Sequence, residues 1–552
     1  MINKLIERPL YAVLTLAVLS FYLFFFQLGS MPLTDPDETF YAQTSREMVD
    51  RGEWATPYLH GKPQFEKPIL FYWLVNVSYK VFGVNEAAAR LPSAVLGFIG
   101  ILLVYLLSAA LFDKKAALLS GVIMAANVEY VILSRACVTD MALSVFILAG
   151  LLAFVYAYQR KLKFMYVAAA FFFGLATLTK GPIGLLLPGV IIVGCLLLER
   201  DAKELLRVPY VRCILVFLAV SMPWYILVYR LHGSEFVNEF FGFHNIVRFL
   251  EPEHKIGSQF YFYIPIVFVE LFPWCVFLPL AMFFSLRRAK DRGNAREASA
   301  HTLLWVWFAV FFVFFSVSRT KLVTYIFPGL HPLAIMIGAM WADFLEKKPT
   351  VPKKWMNASF VLMFVAAIVG SVVAGIVVGK RYPAVLAGTL IGSAALSGTL
   401  IISVVMYFRG LRGFSFLLIA LAVVMFIYPL HKFILPEVGL HETSRKISEE
   451  LSKILKKGDR VGSESHYRSG VAFYTGQRVA DLDTHHNLTV FLGSSGRGYG
   501  VLKEKNFVQL YTLDDRPYYK KPTYMVYKLG RKKCIVTNMI PEDGKYLRKM
   551  ER

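Results

Sequence analysis

Apolar positions in this chain do not recur at the spacing of an amphipathic helix or a half-buried strand. They come in unbroken runs of about 20 residues, the length that crosses ~30 Å of hydrocarbon. Runs occupy 10–28, 90–112, 116–133, 140–158, 164–179, 182–198, 210–229, 259–286, 302–318, 325–345, 357–378, 384–408 and 412–430, thirteen in all. The pattern predicts a polytopic all-α membrane protein with about 13 transmembrane helices, filling 1–430. Two longer polar stretches interrupt it, at 29–89 and 230–258. From about 431 onward the periodicity becomes that of a soluble chain. A helix is expected over 441–457, with strands near 459–462, 477–480, 525–528 and 534–537, giving a small α/β domain at 431–552. Its His485-His486 pair reads as a solvated turn.

Within 29–89, the segment from Pro36 to Asp50 reads as a short helix with Asp37 and Glu38 in its opening turn, where the helix dipole favours acids. A second segment, Pro68 to Phe82, places Phe71, Tyr72, Leu74, Val75 and Val81 among few charges. It is expected to lie on the membrane as an interfacial helix, the other reading being a short re-entrant or buried piece.

Charge fixes the orientation of these elements. The 552 residues carry a formal net charge of +22 and are 56% hydrophobic. In a soluble chain that charge would suggest nucleic acid; in a membrane chain its distribution matters more, and no nucleic-acid partner is expected. With Lys4 and Arg8 cytoplasmic, the alternate loops carry Lys114-Lys115, Arg160-Lys161-Lys163, Arg200 to Arg207, Arg287 to Arg296, Lys347 to Lys354, and Arg409 with Arg412. Every one is basic, as the positive-inside rule requires, and thirteen spans leave the C-terminal domain outside. No small-x-small cleavage site follows the first run, which is expected to be a retained helix. The five cysteines are scattered, without a CxxC spacing, and predict neither a disulfide framework nor a cysteine metal site.

Polar residues at the outer ends of spans are costly unless they meet water, a partner or a ligand. Asp140, Lys180, His244, Arg248, Arg319 and Lys321 all fall on the side that holds Asp37, Glu66 and Lys67. A lone lysine at a span end is commonly a snorkelling anchor, but this gathering predicts a shared functional cavity. Lys67, Lys180, Arg248, Arg319 and Lys321 suit a phosphate, lysine as a point charge and arginine as a two-pronged donor. Asp37 and Asp140 are carboxylates for proton transfer or for orienting an acceptor. Glu66 and His244 could share a metal or simply a hydrogen bond.

The motifs Pro36-Asp37-Glu38-Thr39-x-Tyr41-Ala42-x-x-Ser45-Arg46-Glu47-Met48 and Phe65-Glu66-Lys67-Pro68 resemble those of the ArnT-type glycosyltransferases, the aminoarabinose transferases that modify lipid A. So do Arg90-Leu91-Pro92, Thr179-Lys180-Gly181, Met222-Pro223-Trp224, Phe240-Phe241-x-x-His244-Asn245 and Lys321-Leu322-x-Thr324-Tyr325, in order through about 30–330. The resemblance implies the GT-C fold, an undecaprenyl-phosphate sugar donor, no nucleotide cofactor, and transfer to lipid A or another envelope glycolipid by a monomer. It implies a bacterial inner membrane with the active site and the C-terminal domain on the periplasmic side. It also implies that Asp37 and Asp140 are the acidic positions of the site and that Glu66 and His244 hold a structural zinc. Lys67, Lys180, Tyr41 and Tyr325 would surround the donor phosphate. Phe40 stands where the aminoarabinose enzymes usually have arginine, and Gln64 where an aromatic is common, so the sugar and the acceptor stay open. A hexuronic-acid or protein O-mannosyl transferase on the same scaffold is the nearest rival. A lipid flippase or transporter is disfavoured, since no inverted repeat and no charge buried in mid-span is read.

Overall fold

A computed structural model describes residues 9–240, 242, 259–291, 293–346, 348, 351–507, 523–529, 533–539 and 546–550. Its chain contacts fall into two compact units. One comprises the chain up to Leu28, Phe65–Phe71 and Arg90–Leu430; the other comprises Gly29–Gln64, Tyr72–Ala89 and the chain from His431.

The first unit is helical, and the chain is a multi-pass membrane protein. Among the described residues, eight helices are long and apolar enough to cross a bilayer, or ten if each of two bent pairs is one span. The predicted runs at 10–28 and 182–198 form shorter apolar helices, Pro9–Phe25 and Ile183–Leu198. The bent pairs are Lys114–Ala125 with Val128–Ser134, at 66°, and Tyr263–Glu270 with Trp274–Lys290, at 116°. The two breaks satisfy each other: Val128 N donates to Phe272 O at 3.1 Å, and the Trp274 indole N–H donates to Ala126 O at 3.2 Å. Broken backbone at membrane depth persists only where protein or water supplies such partners. Arg135 closes the Pro9–Phe25 helix, its guanidinium donating to the carbonyls of Leu23, Phe24, Phe26 and Gln27.

In the second unit, Asp37–Arg51 is a helix and Leu70–Phe82 another, both close to their sequence-based bounds. Glu38 reaches back to accept from Thr34 N at 3.0 Å and Thr34 Oγ1 at 3.1 Å, tying the chain that enters the helix to its first turn. Gly52, at φ +68°, ends that helix in the left-handed conformation that favours glycine.

Among its described residues, the C-terminal part contains a six-stranded sheet in the order Val479–Asp481, Arg460–Ser463, Gly498–Lys503, Lys533–Thr537, Thr523–Leu529, Arg548–Met550. Its first three strands are parallel and the remaining pairings antiparallel. The helix expected over 441–457 is instead two, Leu435–Glu442 and Arg445–Ile454, because Thr443 turns extended between them. The Gly498–Lys503 strand escapes sequence reading because its glycines look like a loop; a Cβ at Gly500 would stand 3.2 Å from both Leu482 and Val536. His485 and His486 open a helix, His485–Gly493, rather than a solvated turn. Thr484 initiates it by accepting from Asn487 N.

Candidate functional site

Asp140 lies in the first turn of the Thr139–Arg160 helix, and Lys180 is the last residue of Lys163–Lys180. A carboxylate at a helix N-terminus and an ammonium at a C-terminus are each favoured by the dipole. The two helices pack together, and Lys180 Nζ stands 2.7 Å from Asp140 Oδ1, with both side chains nearly buried. Gly181, at φ +85°, ends the helix in a conformation a side chain would strain, which holds Lys180 at the turn. The same ammonium lies 4.8 Å from the centre of the Tyr325 ring, a cation–π contact.

Glu66 also acts electrostatically on Lys180, and it pairs with Lys67 at 3.2 Å. This stretch is anchored by Phe65, fully buried, whose ring packs 5.1 Å from His232 and 5.4 Å from Phe236. Glu239 lies within the field of Glu66, and its carboxyl is raised above the usual carboxylate range by burial and then by Glu235 and Glu66. One unit therefore gathers Glu66, Lys67, Asp140, Lys180 and Tyr325.

The other expected residues sort differently. Lys321 donates to Ser318 O at 2.5 Å, a bond within its own turn, and burial lowers its ammonium's pKa. Arg319 is exposed. His244 and Arg248 lie outside the described residues. Asp37 and Tyr41 belong to the second unit. There Asp37 is exposed in the first helical turn, and Tyr41 is buried with its ring 5.8 Å from that of Tyr72.

Sequence reading found no charge in mid-span, and this is corrected. Glu129 is 8% exposed and Glu270 2% exposed, inside the runs 116–133 and 259–286. Both sit beside the two mutually bonded helix breaks, and both lie within the field of Asp140. A single Glu inside an apolar run was the available signal, and in a membrane segment such a residue is a functional candidate by default. Asp35 was also passed over; it accepts from Thr39 Oγ1 at 3.0 Å and Ser444 N at 2.6 Å.

Among the described residues, no group of three or more His, Cys, Asp or Glu side chains could hold a metal ion. Glu66 has a lysine beside it. An apolar cavity of about 870 Å³ opens between Ile183–Leu198 and Tyr210–His232, lined among others by Thr177, Pro182, Val190, Phe217 and Tyr225. Thr177 and Pro182 lie three residues before and two after Lys180 in the chain.

Comparison with known proteins agrees with this architecture. Residues 66–227 match the family model described as dolichyl-phosphate-mannose-protein mannosyltransferase. An uncharacterized protein of Aquifex aeolicus is 29% identical over 82% of this chain and 84% of its own. The undecaprenyl phosphate-alpha-4-amino-4-deoxy-L-arabinose arabinosyl transferase of Aeromonas salmonicida is 32% identical over 64% of each chain. The crystal structure of ArnT from Cupriavidus metallidurans bound to undecaprenyl phosphate superposes with a TM-score of 0.80 at 21% identity, over 96% of this chain and 98% of that one. The protein therefore has the GT-C membrane fold. Its sequence is similar to those of the undecaprenyl phosphate-alpha-4-amino-4-deoxy-L-arabinose arabinosyl transferases, and its fold to that of ArnT. The chain spans about 64% of the length of the Aeromonas transferase it matches.

Proposed function

We propose that the protein transfers a sugar from an undecaprenyl-phosphate donor to lipid A or another envelope glycolipid. It would do so as a monomer, on the periplasmic face of a bacterial inner membrane, with the domain at 431–552 on that side. The sugar named for its relatives is 4-amino-4-deoxy-L-arabinose, and it is the first donor to try. The observation that carries the reading is the nearly buried Lys180, held against Asp140 and Tyr325 and reached by the field of Glu66.

In the reaction, an acceptor oxygen forms a bond to the anomeric carbon while the bond from that carbon to the donor phosphate breaks. The electron pair leaves with the lipid phosphate. Lys180 and Lys67 are assigned to the phosphate, where fixed cations stabilise the charge that grows as the bond opens. Tyr41, Tyr325, Arg248, Arg319 and Lys321 complete the proposed donor site, and Asp140 holds Lys180 in place. Asp37 is assigned to the acceptor: it takes a proton from a hydroxyl, or orients a phosphate already deprotonated. Activation resides in the sugar–phosphate linkage of the donor, so no nucleotide is needed. The apolar cavity lined by Thr177, Pro182, Val190 and Phe217 suits the polyprenyl tail.

The proposed zinc ion would join Glu66 to His244 and tie two outer loops together, with no part in bond making. The carboxylate of Glu66 and the imidazole of His244 are suitable zinc donors. Metal analysis of wild-type protein against His244→Ala tests it; absence of stoichiometric zinc from the wild type would remove it.

The deciding experiment incubates purified protein with an undecaprenyl-phosphate aminoarabinose and lipid A, reading products by mass spectrometry. Sugar on lipid A is the expected result; donor moved across a vesicle bilayer without transfer would refute the enzyme. A protein acceptor belongs in the same assay, because the matched family model is described as a protein mannosyltransferase.

A further inference from the structure

Five hydrogen bonds and ion pairs described here join the polar stretch 29–89 to the C-terminal sequence within the second unit. Leu33 N donates to the Tyr474 hydroxyl at 2.8 Å. Arg46 Nη1 donates to Phe473 O at 2.6 Å. Arg445 pairs with Glu86 at 3.0 Å, and Ser469 Oγ meets His60 Nε2 at 3.3 Å. The remaining one falls on Asp35, two residues before Asp37.

Asp35 is bound on two sides. Its Oδ2 takes the backbone N–H of Ser444, which begins the Arg445–Ile454 helix. Its Oδ1 takes the hydroxyl of Thr39, inside the Asp37–Arg51 helix. One carboxylate thus fills the anion site at one helix N-terminus while gripping the first turn of another. Space is matched to this contact: a Cβ at Gly470 would strike both Ser444 Oγ and Asp35 Oδ1. Lys533, 1% exposed, donates to Thr443 O at 2.5 Å and acts electrostatically on Asp35.

We propose that Asp35 is a positioning residue for transfer, fastening the Asp37-bearing helix to the C-terminal domain so that this domain sets the pose of Asp37. The inference rests on the assignment of Asp37 to the acceptor. Helix pose matters at this scale because a displacement of about 1 Å in a reacting group costs roughly 10²-fold in rate. The domain at 431–552 is then part of the catalytic apparatus.

Three full-length variants test it. Asp35→Ala removes both acceptors. Ser444→Pro removes the Ser444 N–H and hydroxyl while the backbone can stay in place, since Ser444 has φ −79° and the preceding Thr443 is extended, both compatible with proline. Asp35→Asn keeps an oxygen for Ser444 and an amide for Thr39. Steady-state transfer and hydrogen exchange over 37–51 are measured on folded protein, matched by melting temperature.

Asp35→Ala and Ser444→Pro should each lower kcat by at least tenfold with donor KM unchanged, and should speed exchange in the first turns of the helix. Asp35→Asn should keep most of kcat. Wild-type kcat in both disrupting variants would overturn the inference, as would Asp35→Asn as slow as Asp35→Ala, because charge alone would then matter. Exchange separates this from the wider reading. Unchanged exchange in Asp35→Ala refutes the fastening whatever the activity. Faster exchange, with no transfer by wild type from any polyprenyl-phosphate sugar, keeps the fastening and refutes the role in transfer.

Discussion

Lys180 and Asp140 stand 2.7 Å apart, the lysine ending one membrane helix and the aspartate beginning the helix packed against it. Two charges in a nearly water-free place hold each other only as a pair, and removing one partner leaves the other stranded at a cost of about 3–5 kcal/mol.

Structural and chemical roles of that pair can therefore be separated. Lys180→Met should lower the melting temperature and reduce transfer roughly 10²-fold, the scale of losing one preorganised charge. Lys180→Met combined with Asp140→Leu should regain much of the stability and none of the activity. A double variant that is both stable and active would show that the pair is only a helix stitch.

A second separation concerns the acidic dyad of the first outer helix. Glu38 ties down the chain entering the helix, accepting from Thr34, whereas Asp37 is exposed. Glu38→Ala should cost stability of order 1 kcal/mol, the scale of a lost hydrogen bond, with turnover nearly kept. Asp37→Asn should leave the melting temperature unchanged and depress kcat far more than donor KM. Full activity in Asp37→Asn would dismiss it from the acceptor site.

Much of this was legible because membrane sequence is constrained by length and charge placement. The apolar runs predicted helices where helices are found, and span-end polarity pointed to Lys180, Asp140 and Glu66. Other features depend on chain partners hundreds of residues apart. Nothing local to Asp35 announces Ser444, and nothing in 259–286 announces a 116° bend that meets another break. Glu129 and Glu270 looked like single exceptions in long apolar runs, and the hydropathy of the runs absorbed them. The Gly498–Lys503 strand was lost because close packing demands the very glycines that imitate a loop.

Two groups in the second unit should give its stability a defined pH course. Burial raises Asp35 to about 6, against the lowering pull of Ser444, Thr39 and Lys533. Burial lowers His60 to about 3, assisted by Arg468. Asp35 is more easily protonated folded than unfolded, so its contribution is lost as pH rises from about 4 to 6. His60 is harder to protonate when folded, so its contribution is present above its unfolded pKa of ~6.5 and is lost as pH falls toward 3. Melting curves from pH 4.5 to 8 should show Asp35→Asn gaining on the wild type as pH rises, and His60→Gln gaining as pH falls. Parallel curves for wild type and variants would refute both assignments.

The last prediction concerns Glu270, whose two carboxyl oxygens are buried with no hydrogen-bond partner among the described residues. Glu129 and Asp140 both act on it electrostatically, and Asp140 is already matched by Lys180. A buried polar group inside a span is costly unless a partner, a ligand or water meets it. Glutamine has nearly the shape of glutamate, so Glu270→Gln should leave both melting temperature and transfer close to wild type. Glu270→Ala should destabilise by opening a cavity at the two helix breaks, by roughly 2–4 kcal/mol on the scale of other buried truncations. Transfer assays and melting curves on detergent-solubilised protein supply the reading. If Glu270→Gln keeps its melting temperature but loses activity as Asp37→Asn does, Glu270 takes part in the site rather than filling the space behind it.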